Sequence, residues 1–222
     1  MESLAVLCRR IGYEFSDATL LQTALTHRSA SNDNNERMEF LGDSILSYII
    51  SIELYQRFPR AQEGELSRMR ASLVKGETLA QIARDISLGD FLSLGSGELK
   101  SGGFRRSSIL ADAFEAVIGA IYLDNGLEPA TAFVQKYFTE RLDQCDPDNV
   151  QKDPKTQLQE YLQARSLALP EYVVTAIDGE AHQQSFRVEC AVPGLSETVT
   201  GEGTSRRKAE QMAAQNALSK LQ

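Results

Sequence analysis

Residues 35–46 read NERMEFLGDSIL, and their pattern decides the fold of the first part of the chain. The apolar residues recur at helical spacing and continue to about Tyr55, which predicts a helix. At about 100° per residue, Glu36, Glu39 and Asp43 share one side of that helix. Like charges on so apolar a helix are unfavourable unless a cation or captured protons compensate. A solvated acidic edge near a helix N-terminus is the alternative interpretation.

A second apolar stretch repeats this design. Residues 107–123 read SSILADAFEAVIGAIYL, with a serine available to cap the start and Gly126 after the end. Asp112 and Glu115, three residues apart, again lie on one face of an apolar helix. Hard divalent cations take oxygen ligands, and Mg²⁺ binds a few carboxylates while keeping positions for water and phosphate. Two such helices therefore predict one shared metal site.

These two stretches resemble the paired motifs of the bacterial ribonuclease III family, in its gammaproteobacterial form. The members of this family are double-stranded-RNA endonucleases. Three further stretches resemble the same family: residues 25–29 (LTHRS), 63–70 (EGELSRMR) and 100–106 (KSGGFRR). The resemblance covers nearly the whole chain, and no acidic position of the motifs is replaced.

The composition is that of an ordinary globular protein. Of 222 residues, 42% are hydrophobic and 24% are charged, which suits one large or two modest domains. No apolar run reaches the roughly 18 residues of a membrane span, and no signal-peptide pattern opens the chain, so we expect a cytoplasmic protein without a membrane partner. Three dispersed cysteines indicate neither a disulfide framework nor a zinc site: Cys8, Cys145 and Cys190.

The net charge of −8 at first argues against a nucleic-acid partner. Residues 1–143 carry 15 basic and 20 acidic side chains, and residues 144–222 carry 8 and 11. Neither part is basic overall. Contacts with RNA must therefore come from local basic clusters, with metal ions offsetting the acidic site.

The pattern of apolar residues changes along the chain. Residues 1–143 show only helical patterns, including one helix from Glu65 to about Ile86, and predict an all-α catalytic domain. Residues 144–153 are polar, with Pro147 near their start and Pro154 directly after them, and predict a linker. Residues 154–222 predict a smaller α+β domain with the order α-β-β-β-α, which resembles a double-stranded-RNA-binding domain. On its last helix five residues are predicted to face inward: Ala209, Met212, Ala213, Ala217 and Leu221.

Three cations open that last helix, where the helix dipole disfavours positive charge. Arg206, Arg207 and Lys208 each cost a few tenths to about 1 kcal/mol there. A docked phosphate would remove the conflict, because a helix N-terminus with added basic side chains suits anions. The resemblance implies contacts with the RNA minor grooves by three more residues: Gln157, Glu160 and His182. A structural loop role is the alternative for His182.

We predict that four carboxylates hold one or two Mg²⁺ ions, with Mn²⁺ able to substitute: Glu39, Asp43, Asp112 and Glu115. Among them Asp43 and Glu115 are predicted to be catalytic. Glu36 and Glu63 are supporting candidates, with roles towards substrate, water or a subunit interface all open. For Glu63, a favourable acid at a helix N-terminus is the structural alternative.

Several basic side chains accompany the predicted metal site. His27 is a candidate general base or metal ligand, although a histidine at a helix end more often makes structural hydrogen bonds. Arg28 is predicted to brace the acidic site or to contact phosphate. Three residues before the second acidic helix are candidates for holding phosphate, with simple solvation as the alternative: Lys100, Arg105 and Arg106.

Motifs and domain order together predict Mg²⁺-dependent endonucleolytic cleavage of double-stranded RNA. The resemblance implies 5′-phosphate and 3′-hydroxyl ends, short 3′ overhangs, and processing of ribosomal RNA precursors, messenger RNA and other structured transcripts. It also implies a homodimer with Phe40 in the contact, whereas the helical pattern alone makes Phe40 a core aromatic. There are two alternative interpretations. A double-stranded-RNA-binding regulator that has lost cleavage would have one of the four acids replaced, and none is replaced here. A phosphohydrolase that acts on small molecules would give residues 154–222 no function.

Overall fold

The structure is a computed structural model that describes residues 4–146, 153–179 and 184–221. Its contacts divide the chain into two compact units, with the division between residues 150 and 151. The linker predicted over residues 144–153 stays a prediction, because residues 147–152 lie outside the described part. None of the described helices is long and apolar enough to cross a membrane.

The regular elements of the first unit, over residues 4–146, are all helices, as the sequence predicts. Its α-helices are α1 (Leu4–Ile11), α2 (Ala18–Ala24), α3 (Glu36–Arg57), α4 (Glu63–Leu73), α5 (Gly76–Asp85), α6 (Ser96–Lys100), α7 (Ser107–Asn125) and α8 (Leu127–Asp143). Two 3-10 helices, Leu88–Phe91 and Gly103–Arg105, connect the segments around α6. The central helix is α7, against which α2, α3, α5 and α8 pack.

Helix α7 is central because its sequence is apolar on nearly every side. Phe114 and Ile118 are completely buried, and the Phe114 ring packs on Phe133 of α8 with 5.5 Å between ring centroids. Gly126, in the left-handed region at φ +82°, follows the end of the helix as predicted. Burying apolar side chains on this scale contributes about 1.5–3 kcal/mol for each large residue.

The predicted serine cap of α7 is wrong. Arg106 occupies the N-cap position and no side chain caps the helix. Ser107 instead lies inside the first turn, where its Oγ accepts a hydrogen bond from Arg84 Nη2 at 2.5 Å. The serine therefore ties α7 to α5 and does not satisfy the helix end.

The single helix predicted from Glu65 to Ile86 is also wrong. The chain breaks into α4 and α5 at Lys75, whose backbone is extended with φ −64° and ψ 145°. The Lys75 carbonyl accepts the Thr78 N–H at 2.9 Å, which starts a new helix. Apolar spacing continues across the break and hides it, so Gly76 was the only local signal.

The second unit has the predicted order α-β-β-β-α. Its elements are α9 (Pro154–Gln163), β1 (Glu171–Asp178), β2 (Ser185–Ala191), β3 (Val199–Gly203) and α10 (Arg206–Leu221). The strands form an antiparallel sheet in the order β1-β2-β3, and α10 packs against both β2 and β3. Opposite residues include Val174 with Val188 and Phe186 with Gly203.

Helix α10 lies very close to β3. A Cβ added to Gly201 would lie 2.2 Å from the Ala213 nitrogen, so only small side chains fit between the two elements. The inward face consequently carries alanines together with Leu218. Met212 is 49% exposed, so the prediction that it faces inward is wrong.

Candidate metal centre and RNA-binding surface

Helices α3 and α7 touch backbone to backbone at two glycines. A Cβ on Gly42 would lie 1.8 Å from the Glu115 carbonyl oxygen, and one on Gly119 would lie 2.3 Å from the Met38 carbonyl oxygen. Real Cβ atoms essentially never approach other heavy atoms within 3.0 Å, so no side chain fits at either position. This approach brings the acidic face of α3 against that of α7. Sequence reasoning missed both glycines, although glycine inside a helix costs about 0.5–1 kcal/mol and was therefore a signal.

Three of the four predicted metal carboxylates lie together at this crossing. Glu39, Asp112 and Glu115 each place one carboxylate oxygen within 4.8 Å of the other two. All three side chains are half-buried. Asp43, one turn further along α3, is exposed and lies outside this group.

Burial and mutual repulsion hold a proton on Glu115. Its pKa is raised to about 8, first by burial and then by the carboxylates of Asp43, Glu39 and Asp112. An ordinary glutamate titrates near 4.5. Because the folded state keeps a proton that the unfolded chain releases, the free energy of unfolding falls as pH rises from 4.5 to about 8 without a cation. A bound cation removes this penalty.

The other two carboxylates of the group share this environment. Burial raises the pKa of Glu39, and the charges of Asp112 and Glu36 raise it further, while Arg28 lowers it. Burial also raises the pKa of Asp112, and His27 and then Arg28 lower it. Neighbouring basic side chains therefore offset the effect of burial only in part.

This donor set fits a hard divalent cation. It offers carboxylate oxygens alone, half-buried and close enough to share one ion. A groove of about 600 Å³ opens beside it, with room for water and a phosphate group. Among its lining residues are Glu39, Asp112, His27, Arg28, Asn35 and Arg106.

The supporting acids lie apart from the three-carboxylate group. Glu36 is exposed, and its Oε1 pairs with Arg28 Nη1 at 3.3 Å at the groove. Glu63 is exposed at the first position of α4 and accepts a hydrogen bond from Ser67 Oγ at 2.7 Å. Phe40 is 77% exposed, so the interpretation as a core aromatic is wrong for this unit.

The structure adds residues that sequence reasoning did not single out. Asn35 is 2% exposed and is the one buried polar residue in the described part of the chain. The backbone N–H of Asn35 donates to the Thr26 carbonyl at 2.9 Å, and the backbone carbonyl of Asn35 accepts the Glu39 N–H at 2.8 Å. These two hydrogen bonds fix the position of the start of α3. Glu98 lines the groove and pairs with Arg106 at 3.0 Å.

Of the three basic candidates before α7, Arg106 lines the groove beside the carboxylates. Arg105 places its guanidinium over the Phe104 ring, 5.0 Å from the centroid. Lys100 is exposed at the end of α6. Arg106 is thus the candidate whose position suits a phosphate in the groove.

In the second unit the three cations that open α10 are exposed. Arg206 Nε pairs with Glu210 at 2.9 Å, and Lys208 Nζ donates to Thr204 Oγ1 at 3.2 Å. Gln157 and Glu160, three residues apart, lie on α9. The remaining predicted RNA contact, His182, lies outside the described residues.

Comparison with known proteins identifies both units. A ribonuclease-III-like family model matches residues 17–142, and a double-stranded RNA binding motif matches residues 154–221. The chain is 60% identical to ribonuclease 3 of Vibrio vulnificus strain CMCP6 over 215 residues, covering 97% of this chain and 96% of that protein. It is also 60% identical to ribonuclease 3 of Shewanella amazonensis over 221 residues, covering 100% and 98%.

Solved structures match the first unit. Two structures of the nuclease domain of ribonuclease III from Campylobacter jejuni are each 41% identical to this chain. One has a TM-score of 0.62 and covers 66% of this chain and 100% of that domain. The other has a TM-score of 0.61, covers 62% and 97%, and concerns flexibility in a region involved in dimer formation.

Fold and site together define a two-unit nuclease, with a helical unit that carries a carboxylate cluster and a second unit that carries an RNA-binding motif. The chain belongs to the ribonuclease III family of double-stranded-RNA endoribonucleases. The resemblance to bacterial ribonuclease III and the prediction of an endoribonuclease are thereby confirmed. This family implies a divalent metal, in agreement with the cluster of Glu39, Asp112 and Glu115.

The glycine contact generates a prediction. Gly42→Ala forces α3 and α7 apart, because the added Cβ would meet the Glu115 carbonyl oxygen at 1.8 Å. We expect a loss of about 1–3 kcal/mol in denaturant unfolding, as for other overpacked cores. Metal-dependent cleavage of duplex RNA should fall as well, since the carboxylates separate.

The control is Gly97→Ala on α6, where an added Cβ meets nothing within 4 Å. That change should be neutral or stabilising by up to about 1 kcal/mol, the helix propensity difference between the two residues. Wild-type stability and cleavage in Gly42→Ala would show that the glycine contact does not set the spacing of the carboxylates.

Proposed function

We propose that the protein cleaves double-stranded RNA with Mg²⁺ as its cofactor, Mn²⁺ being able to substitute. The observation that carries the proposal is the half-buried group of Glu39, Asp112 and Glu115 beside an open groove, in a chain with a double-stranded RNA binding motif. Hard oxygen ligands and room for water and phosphate are what Mg²⁺ prefers.

The side chains around the groove have distinct roles in this proposal. A bound divalent cation supplies Lewis-acid activation of water and stabilises charge on the phosphate. Glu39, Asp112 and Glu115 would hold it, with Glu115 in its ionised form. Asp43 would complete the ligand set from the exposed end of the cluster, and Asp43 and Glu115 are the residues to which we assign catalytic roles.

Basic and acidic side chains at the groove then position the RNA strand. Arg106 faces the groove with its guanidinium held by Glu98, so it is ordered before phosphate arrives. Arg28 is held in the same way by Glu36. We assign Glu36 this supporting role, and Glu63 a role in ordering the start of α4. Hydrolysis at the phosphorus leaves a 5′-phosphate and a 3′-hydroxyl.

The assembly we propose is a homodimer formed through α3. Four large apolar side chains form an exposed stripe along this helix: Phe40, Tyr48, Ile52 and Tyr55. Exposed apolar stripes of this kind mark interaction surfaces. The Campylobacter jejuni nuclease domain, with a region involved in dimer formation, supports this assignment. Two sites in one dimer cut opposite strands, which produces short 3′ overhangs.

The second unit holds the duplex by its shape and charge. Arg206, Arg207 and Lys208 meet phosphates at the start of α10, where the helix dipole also favours anions. Gln157 and Glu160 on α9, with His182, contact the minor grooves. This arrangement is sequence-tolerant, which suits precursors of ribosomal RNA, messenger RNA and other structured transcripts. The cytoplasm, where such transcripts are made, is the compartment we propose.

Glu115→Gln separates cleavage from binding. The change keeps the size of the side chain and removes the charge that holds a cation, so cleavage should fall by about 10²-fold or more. Duplex affinity, measured by filter binding, should stay within about twofold, because it comes from phosphate and groove contacts elsewhere. Stability at pH 7 in a chelator should not fall, since Glu115 is protonated there in the wild type.

The matched control is Glu128→Gln, which removes an exposed carboxylate on α8 and should change neither cleavage nor duplex binding. Normal cleavage by Glu115→Gln at saturating RNA would refute the paired-helix metal site. Loss of binding together with cleavage would refute the division of labour between the two units.

Phe40→Ala tests the dimer contact. If Phe40 packs against a second copy, its loss should shift sedimentation towards monomer at dilute concentration, while the melting temperature of the monomeric species stays unchanged. Met212→Ala, which removes another exposed apolar side chain from the second unit, should remain dimeric. A Phe40→Ala protein that stays dimeric but melts at lower temperature would place the interface elsewhere.

A further inference from the structure

His27 lines the groove beside the carboxylates and is fixed there through its backbone. Its N–H donates to the Ser93 carbonyl at 3.0 Å. The Ser93 N–H in turn donates to the Leu25 carbonyl at 2.9 Å. These bonds join two segments that are distant in sequence and set His27 at the edge of the groove.

Ser29 fixes the imidazole ring of His27. The Ser29 N–H donates to Nδ1 at 3.2 Å, and Ser29 Oγ lies 2.8 Å from the same nitrogen. Ser29 Oγ also accepts the Gly95 N–H at 2.9 Å, which fixes the hydroxyl oxygen beside the ring. A ring nitrogen that accepts hydrogen bonds carries no proton, so the network makes neutral His27 the Nε2–H tautomer.

Gly95 is built into this arrangement. A Cβ at residue 95 would lie 2.3 Å from the Ser29 carbonyl oxygen and 3.2 Å from the Ser29 Cβ. Only glycine therefore brings its N–H close enough to hold Ser29 Oγ. The ring of His27, its serine and this glycine form one preorganised unit at the groove.

The free side of the ring offers a proton. Nε2 has no hydrogen-bond partner in the part of the chain that the structure describes. His27 also lies outside the group of three carboxylates. A general base or a metal ligand needs a lone pair, and the lone pair of neutral His27 is directed at Ser29. The ring suits neither of those roles and suits a hydrogen-bond donor.

The chemistry of the groove selects the acceptor. Arg28 and Arg106 line the same groove, so it attracts an anion. Phosphate oxygens accept hydrogen bonds and never donate them, and N–H groups commonly contact them in RNA complexes.

We propose that His27 contacts the RNA during cleavage, by donating its Nε2–H to a non-bridging oxygen of the phosphate that is cut. The inference rests on the proposed function and adds a substrate contact to it. Ser29 and Gly95 act through His27 and are positioning residues.

The test compares single-turnover cleavage of a short duplex by wild type and His27→Ala, with enzyme and Mg²⁺ saturating, at pH 7.5. The rate should fall between about tenfold and a thousandfold, the range for loss of a donor to developing charge. Duplex affinity should stay within about twofold, and the Mg²⁺ concentration for half-maximal rate should not change. His27→Gln, which retains an N–H donor, should recover part of the rate.

A sulfur substitution reports the contact itself. With a phosphorothioate of defined stereochemistry at the cleaved position, sulfur in place of the accepting oxygen weakens the bond from Nε2–H. One diastereomer should therefore be cut more slowly by wild type, and His27→Ala should reduce that difference. Ser29→Ala should lose part of the rate, whereas Ser31→Ala, which removes an Oγ that accepts the Asp33 N–H, should behave as wild type.

Several results would overturn the proposal. One is a wild-type rate in both His27 variants. Another is a lost rate that returns at high Mg²⁺, because His27 would then serve the metal ligands. An unchanged phosphorothioate difference in His27→Ala would also contradict the contact. Wild-type protein that does not cut duplex RNA would defeat the proposed function as well, whereas normal cutting by wild type and variants alike defeats this inference alone.

Discussion

The close contact of α3 with α7 at Gly42 and Gly119 is the constraint on which the catalytic unit depends. It places carboxylates from two apolar helices in one half-buried region, where burial and repulsion raise the pKa of Glu115 to about 8. Such clustering of carboxylates opposes folding, and the burial of apolar side chains around α7 offsets its unfavourable free energy. A bound cation turns this local conflict into a binding site.

The second unit also collects like charges where they are unfavourable unless a ligand of opposite charge binds, and there the charges are positive. Three exposed cations open α10, where the helix dipole disfavours them, and a bound phosphate, as we propose, would relieve that conflict. The chain as a whole carries a net charge of −8, so its attraction for RNA is local. The basic side chains that we propose to contact phosphate accordingly lie in local groups, one at the start of α10 and one at the groove of the first unit.

The sequence predicted what periodicity and motif encode: the helical first unit, the α-β-β-β-α order of the second, and the pairing of acidic helices. It did not predict features that depend on distances between elements. The role of Gly42 requires the approach of a second backbone, and the tautomer of His27 requires Gly95, far away in sequence. The break before Gly76 was hidden because apolar spacing continues through it, and Met212 was misplaced because α10 lies too close to β3 for a long side chain.

Proton release on metal binding tests the central claim most directly. Calorimetric titration of the protein with Mn²⁺ near pH 7, in buffers of different ionisation enthalpy, counts the protons released. Because Glu115 is protonated below a pKa of about 8 and must ionise to bind, roughly one proton per site should be released at pH 7. Affinity should also rise from pH 6 to pH 8. Binding that releases no proton and is independent of pH would contradict the account.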